Sequence, residues 1–120
     1  MKQYKIVNAY NALYALSEAS GINKKEQWEI YRLRNILKPH FEFHTEQENK
    51  VREKYGEYAD DAGNLSGEYA DNFVKEMQEV NDIDVELDGF IKPQIRMTEG
   101  ITLKISDPLD GFVDFLPPEE

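Results

Sequence analysis

The sequence contains no cysteine. That excludes disulfides, thiol nucleophiles and thiolate metal sites, and it fits a chain that works in the cytosol. Long apolar runs are also missing. No segment approaches the roughly 20 apolar residues that a membrane span requires. The opening stretch "MKQYKIVNAYNAL" has neither an apolar run of signal-peptide length nor a small-residue cleavage site. Positive charge is in deficit, with 14 basic against 24 acidic residues and a net charge of −10. Such a surface repels nucleic acid phosphate and anionic lipid, so no nucleic acid or membrane partner is expected. A basic protein or cations suit it better, although acidity also serves solubility. No phosphate loop, dinucleotide fingerprint or nucleophile elbow occurs, and there is no internal repeat. These absences point away from an enzyme and from a bound cofactor or small molecule.

What is present suffices for one modest core. The 120 residues are 40% hydrophobic and 12% aromatic, which places the chain among folded single domains with limited burial. "KIVNAYNALYALSEASG" predicts a first helix over about 6–19. Val7, Tyr10, Leu13 or Tyr14, and Leu16 recur at helical spacing, Gly21 is a stop signal, and Asn8 is an alternative start.

The dominant feature is a helix expected over about 24–55. Asn23 serves as N-cap and Glu26 as its capping-box partner. Its apolar line runs Ile30, Leu33, Leu37, Phe41, His44, Glu48, Val51, Tyr55 in alternating steps of three and four, the seam of one helix packed lengthwise on another. Its length, roughly 45–50 Å at 1.5 Å per residue, exceeds a compact domain of this size, so part should project as an arm. Trp28, Ile36 and Phe43 form a second face, which predicts that the first half is covered on two sides. Pro39 removes a backbone donor and crowds the turn at Asn35, so a kink is expected there.

Turn residues in "GEYADDAGNLSG" predict a tip loop over 56–67, and "EYADNFVKEMQEVND" a return helix over about 68–80 with Tyr69, Phe73, Met77 and Val80 on one face. The period then changes to two. "DIDVEL" and "GITLKI" predict antiparallel strands over about 82–87 and 101–105, and Pro93 argues against a regular central strand in the link between them. "SDPLDGFVDFL" predicts a short C-terminal helix over about 107–115, weakened by Gly111. The expected fold is therefore α+β: one domain over 1–120, with a long antiparallel helical hairpin projecting from a small base that holds a two-stranded antiparallel sheet and a short C-terminal helix.

Three clusters invite chemistry. His40, His44 and Glu48 fall on successive helical turns, and imidazole and carboxylate can bind zinc or nickel. The hydrolytic patterns are not met: Glu42 lies about 200° around the helix from His40, and no cysteines complete a deaminase site. The competing reading is preferred, with His44 as a seam residue hydrogen-bonded across the arm and His40 flanking it. "DDAGNLSGEYAD" fails the calcium-loop pattern, because Ala62, Leu65 and Asp71 occupy positions that need a ligand, glycine and glutamate. Alternating Asp82, Asp84 and Glu86 read as the solvent face of a strand. Of the seven tyrosines, Tyr55, Tyr58 and Tyr69 near the tip are candidates for a protein interface, since their rings can be buried with the hydroxyls left wet.

In order, "YNALYALSE", "VREKYGEYADDAGNL", "FVKEMQEV", "VELDGFIKPQI" and "ISDPLDGFVDFL" resemble a family of small proteins encoded by tailed phages and prophages of Gram-positive bacteria, classified only as a domain of unknown function. The likeness covers nearly the whole chain, and "EKYGE" with its Asp/Gly/Asn tip is its most specific part. Pro39 and His40 depart from it. The family has no catalytic residues to carry over. It implies a phage context in the bacterial cytoplasm, or association with the virion, and a structural or assembly-accessory role exercised through a protein partner or self-association. The alternatives are a small metal-binding or regulatory protein using His40, His44 and Glu48, and an acidic effector directed at a host protein.

Overall fold

The computed structural model describes residues 1–87 and 90–118. Helix α1 spans Gln3–Glu18 and α2 spans Lys24–Tyr55. A 3-10 turn at Gly56–Tyr58 and a loop lead into α3, Gly67–Asn81. The remainder holds β1 (Gln94–Arg96), α4 (Leu103–Ser106), a 3-10 turn (Asp107–Leu109) and β2 (Asp114–Leu116). The fold is thus mostly helical with a small sheet. It measures 56 × 31 × 18 Å, with a radius of gyration of 17.6 Å. A compact chain of this length would have about 14 Å, so the molecule is elongated along α2.

Local chemistry explains why α2 starts where it does. The Asn23 side chain accepts from the Glu26 amide at 2.8 Å and Glu26 Oε1 accepts from the Asn23 amide at 3.1 Å, a reciprocal capping box. Glu26 Oε2 also accepts from the Arg96 amide at 2.8 Å, which ties the helix start to β1. Along the seam Ile30, Leu33, Leu37, His44 and Tyr55 are buried, and Phe41, Glu48 and Val51 are half-buried.

The core lies at one end of the molecule. Ile6, Leu13 and Leu16 of α1 meet Ile30, Leu33 and Leu37 of α2, with Ile95, Leu109 and Phe112 closing the cluster from the C-terminal part. Tyr10 stacks on Phe41 at 4.4 Å. Gly21, at φ +86°, turns the chain from α1 towards α2. Gly100 allows close approach, since a Cβ there would sit 2.7 Å from the Ser20 amide nitrogen. Helix α2 remains helical through Pro39. Pro39 and Asn35 are both exposed, so water can hydrate the Asn35 carbonyl that the proline leaves without a donor. On the inner side, the buried Gln3 amide donates to the His40 carbonyl at 2.6 Å.

Several expectations need correction. The two strands are parallel, not antiparallel, with Gln94, Ile95 and Arg96 aligned to Asp114, Phe115 and Leu116. Parallel strands need a crossover connection, here the segment that holds α4 and the second 3-10 turn. The strand expected over 82–87 is reduced to one antiparallel bridge, Lys2 with Asp84, flanked by hydrogen bonds from Gln3 to Ile83 and from Val85 to Met1. Helix α1 begins at Gln3, directly after the bridged Lys2, so the ladder does not continue along the chain in that direction. The strand expected over 101–105 is instead the approach to α4, whose helical turn begins at Leu103. Ile101 is buried and Ile105 half-buried, and a spacing of four satisfies one helical turn as well as an alternating strand. The C-terminal helix expected over 107–115 is a 3-10 turn followed by β2, because Gly111 at φ +85° ends the helical path. Asn8 lies inside α1, which begins at Gln3 rather than near residue 6. Asp88 and Gly89, the first residues of the link after the 82–87 segment, lie outside the described residues. Finally, Trp28, Ile36 and Phe43 are exposed. The first half of α2 is covered on its seam side, and its second apolar face is left open.

Candidate interaction site at the distal end of the long helix

Helix α3 packs on the second half of α2, and the contacts run in opposite sequence order. His44 Nε2 lies 2.7 Å from Asn81 Oδ1, Tyr55 meets the Phe73 ring edge-on at 6.1 Å, and Lys54 Nζ donates to Glu76 Oε1 at 2.6 Å. Little apolar surface is buried along this pairing. Val80 is the buried residue of α3, while Phe73 and Met77 are half-buried.

Between the helices the chain turns on Asp60. Its carboxylate Oδ1 accepts from the amides of Ala62 and Asn64, each at 2.9 Å. Its backbone pairs with Asn64 and Gly63, and Gly63 (φ +82°) and Gly67 (φ +60°) take left-handed conformations. Asp60 therefore serves the turn. Beside it, Tyr58 and Tyr69 stack face to face at 4.1 Å and 8°, and both are exposed at the surface. The neighbouring Glu57 carboxylate raises the Tyr58 phenol above its ordinary value. Tyr55 is buried, and its phenol is raised first by that burial and then by Glu76.

Under the loop lies an open cleft of about 330 Å³, more apolar than polar, walled by Tyr55, Leu65, Phe73 and Val74. Arg52 lines one side, with its guanidinium 5.7 Å from the Phe73 ring. Residues 56–72 carry Glu57, Asp60, Asp61, Glu68 and Asp71 and no lysine or arginine. The distal end thus combines an apolar recess with five carboxylates. Tyr55 belongs to the recess wall, and Tyr58, on the 3-10 turn, stacks on Tyr69 of the first turn of α3. Spacing alone does not reveal the recess. Its sequence signal is Leu65, an apolar residue inside turn chemistry, together with Val74, which lies off the apolar face of α3.

The histidines do not assemble a metal centre. His44 Nε2 is taken by Asn81, its Nδ1 is 3.8 Å from Glu48 Oε2, and Glu48 Oε1 is held by Arg52 at 3.0 Å from both Nε and Nη2. His40 is half-buried, and its carbonyl receives Gln3. Among the described residues no group of three His, Asp or Glu side chains is arranged to hold a metal ion.

The Lys54–Glu76 pair gives the distal end a pH signature. The hydrogen bond from Lys54 holds the Glu76 carboxyl below its ordinary 4.5, and the same bond raises Lys54 above its ordinary 10.5. A depressed carboxyl stabilises the fold above its unfolded value, and a raised ammonium stabilises it below its unfolded value. The stability gap between the native protein and Glu76→Gln is expected to be flat from pH 4.5 to about 10.0, the ordinary value of the Tyr55 phenol that Glu76 also raises. It should shrink as pH falls through the depressed Glu76 value or rises through the raised Lys54 value. Both groups meet solvent, so the gap itself is small. Denaturant titrations of both proteins across pH check this, and a gap that widens towards acid would contradict it.

Among the described residues no helix is long and apolar enough to cross a membrane. No protein-family model, no curated protein and no solved structure matches the chain.

Proposed function

We propose that this is a non-enzymatic phage or prophage protein, structural or assembly-accessory, that acts through protein–protein contacts. In this reading α2 and α3 form a helical hairpin that presents its tip to a partner from a base built around α1 and the C-terminal segment. The observation that carries it is the cleft under the tip loop: an apolar recess with Arg52 as its one charged lining residue, formed by a segment, 56–72, that carries five carboxylates and no cation. An interface anchor is usually one large apolar side chain seated in such a recess, with charged groups at the rim setting orientation and partner choice. The occupant it fits is a basic protein surface that offers one apolar side chain. The phage context comes from the sequence resemblance.

Val74 lines the cleft and is exposed, so Val74→Asp should blunt the recess while leaving the fold intact. In a prophage carrying this gene, we expect Val74→Asp to lower the yield of complete particles by about tenfold or more, as for loss of an interface anchor. The protein itself should accumulate to its native level. Particle counts after induction, read beside an immunoblot, make the measurement. Native particle yield from this variant would remove the reading.

A further inference from the structure

We propose that the occupant of the distal cleft is the Trp28 face of a second copy of this chain, so that molecules join head to tail. This rests on the reading of the tip as a protein-binding site and names its partner. Trp28 is the single tryptophan of the chain and is 58% exposed, more than any tyrosine or phenylalanine among the described residues. It stacks on Tyr31 at 5.8 Å. At 100° per residue Trp28 stands roughly opposite the Ile30–Leu37 seam and so faces away from the core.

Charge separates along α2 to match. Residues 24–38 hold five basic side chains (Lys24, Lys25, Arg32, Arg34, Lys38) and two acidic (Glu26, Glu29), a net +3 in a protein of net −10. Arg34 faces inward over Tyr14 at 3.5 Å, whereas Lys24, Lys25 and Arg32 are exposed around Trp28. No ion pair among the described residues engages Lys24 or Lys25. The distal segment, from the 3-10 turn through the loop to the start of α3, carries the opposite charge, −5 over residues 56–72. An exposed indole flanked by cations therefore sits at one end of the molecule, and an apolar cleft on an acidic segment of the chain at the other. The cleft volume of about 330 Å³ has room for one indole. Arg52 on its wall can lie over the indole face, and Asn64 on its lining offers an acceptor to the indole N–H.

The two surfaces are separated by most of the length of α2, roughly 40 Å at 1.5 Å per residue. One chain cannot bring them together, and the contact uses different patches on the two copies. Such a heterologous contact propagates into an open row unless its rotation happens to close a ring.

The test uses the full chain and the intrinsic fluorescence of Trp28. For the native protein, weight-average mass by light scattering should rise with concentration past that of a dimer, with a blue shift of tryptophan emission. Trp28→Ala lacks the knob and Val74→Asp lacks the socket, so each alone should stay monomeric. An equimolar mixture retains one intact knob and one intact socket, so it should form a species of two chains and nothing larger. Leu65→Asp, placed in the loop outside the helices, repeats the socket arm should Val74→Asp fail to fold. A native protein that stays monomeric with unchanged emission overturns the proposal. So does a socket variant that still self-associates, which would mean that α2 faces pair with each other, and so does a mixture that stays monomeric. If the native protein is monomeric yet Val74→Asp still lowers particle yield, the tip binds another basic protein and only the head-to-tail contact is lost.

Discussion

Leu37→Ala is expected to destabilise the protein by about 2–5 kcal/mol, the range for removing a leucine from a packed core with partial relaxation around the cavity. Leu37 has no exposed surface and sits where α1, α2 and the C-terminal segment converge. In a chain of this size that is a large share of the total stability. The neighbouring Ile36→Ala is the control. Ile36 is 40% exposed on the open face, and alanine has the higher helix propensity, so its substitution should stay within about 0.5 kcal/mol of native. Urea unfolding of the pair measures the contrast directly. Equal losses at both positions would mean that the outer face of α2 is covered in the folded molecule, and would remove the surface on which the head-to-tail contact depends.

Pro39→Ala should act in the opposite direction, raising stability by roughly 1–3 kcal/mol. A proline in a helix interior costs about 3 kcal/mol relative to alanine. Part of that is offset because proline stiffens the unfolded chain by about 0.4–1 kcal/mol, and hydration of the exposed Asn35 carbonyl reduces it further. The substitution restores a donor to that carbonyl without entering the core, since Pro39 is exposed. The urea midpoint should move up with an unchanged slope. A drop in stability would show that the local shape imposed by Pro39 is needed to seat Gln3 against His40, and that the proline serves the packing of α1 on α2.

Legibility from sequence followed the range of the interactions. The start of α2 is written in Asn23 and Glu26 because both halves of the capping box lie within four residues. The seam from Ile30 to Tyr55 is legible because one helix repeats the same constraint for about seven turns. The second task of Glu26, holding the Arg96 amide, joins residues 70 apart and leaves no local trace. Strands of three residues carry too few alternations to be told from a helical turn, so β1 and β2 leave no clear signal and the alternation over 101–105 mimics a strand where the chain enters α4. "DIDVEL" alternates faithfully, yet a strand also needs a partner, and among the described residues the segment finds one bridge, Lys2 with Asp84. Trp28, Ile36 and Phe43 misled for a different reason. Apolar periodicity records that a face avoids water, without saying whether the cover comes from the same molecule. At the distal end, the seam position of His44 follows from spacing, but the choice of Asn81 as its partner does not. The cleft escaped because it is made by loop closure, which brings Leu65 over Tyr55 and Phe73.

The hydrogen bond from Gln3 to the carbonyl of His40 sits one residue beyond Pro39, and its place along α2 gives it mechanical leverage. From there to Tyr55 the helix continues for about 24 Å at 1.5 Å per residue, so a pivot of 10° at the proline would swing the tip by about 4 Å. A single buried amide beside the proline would thereby bear on the aim of a surface that it never touches.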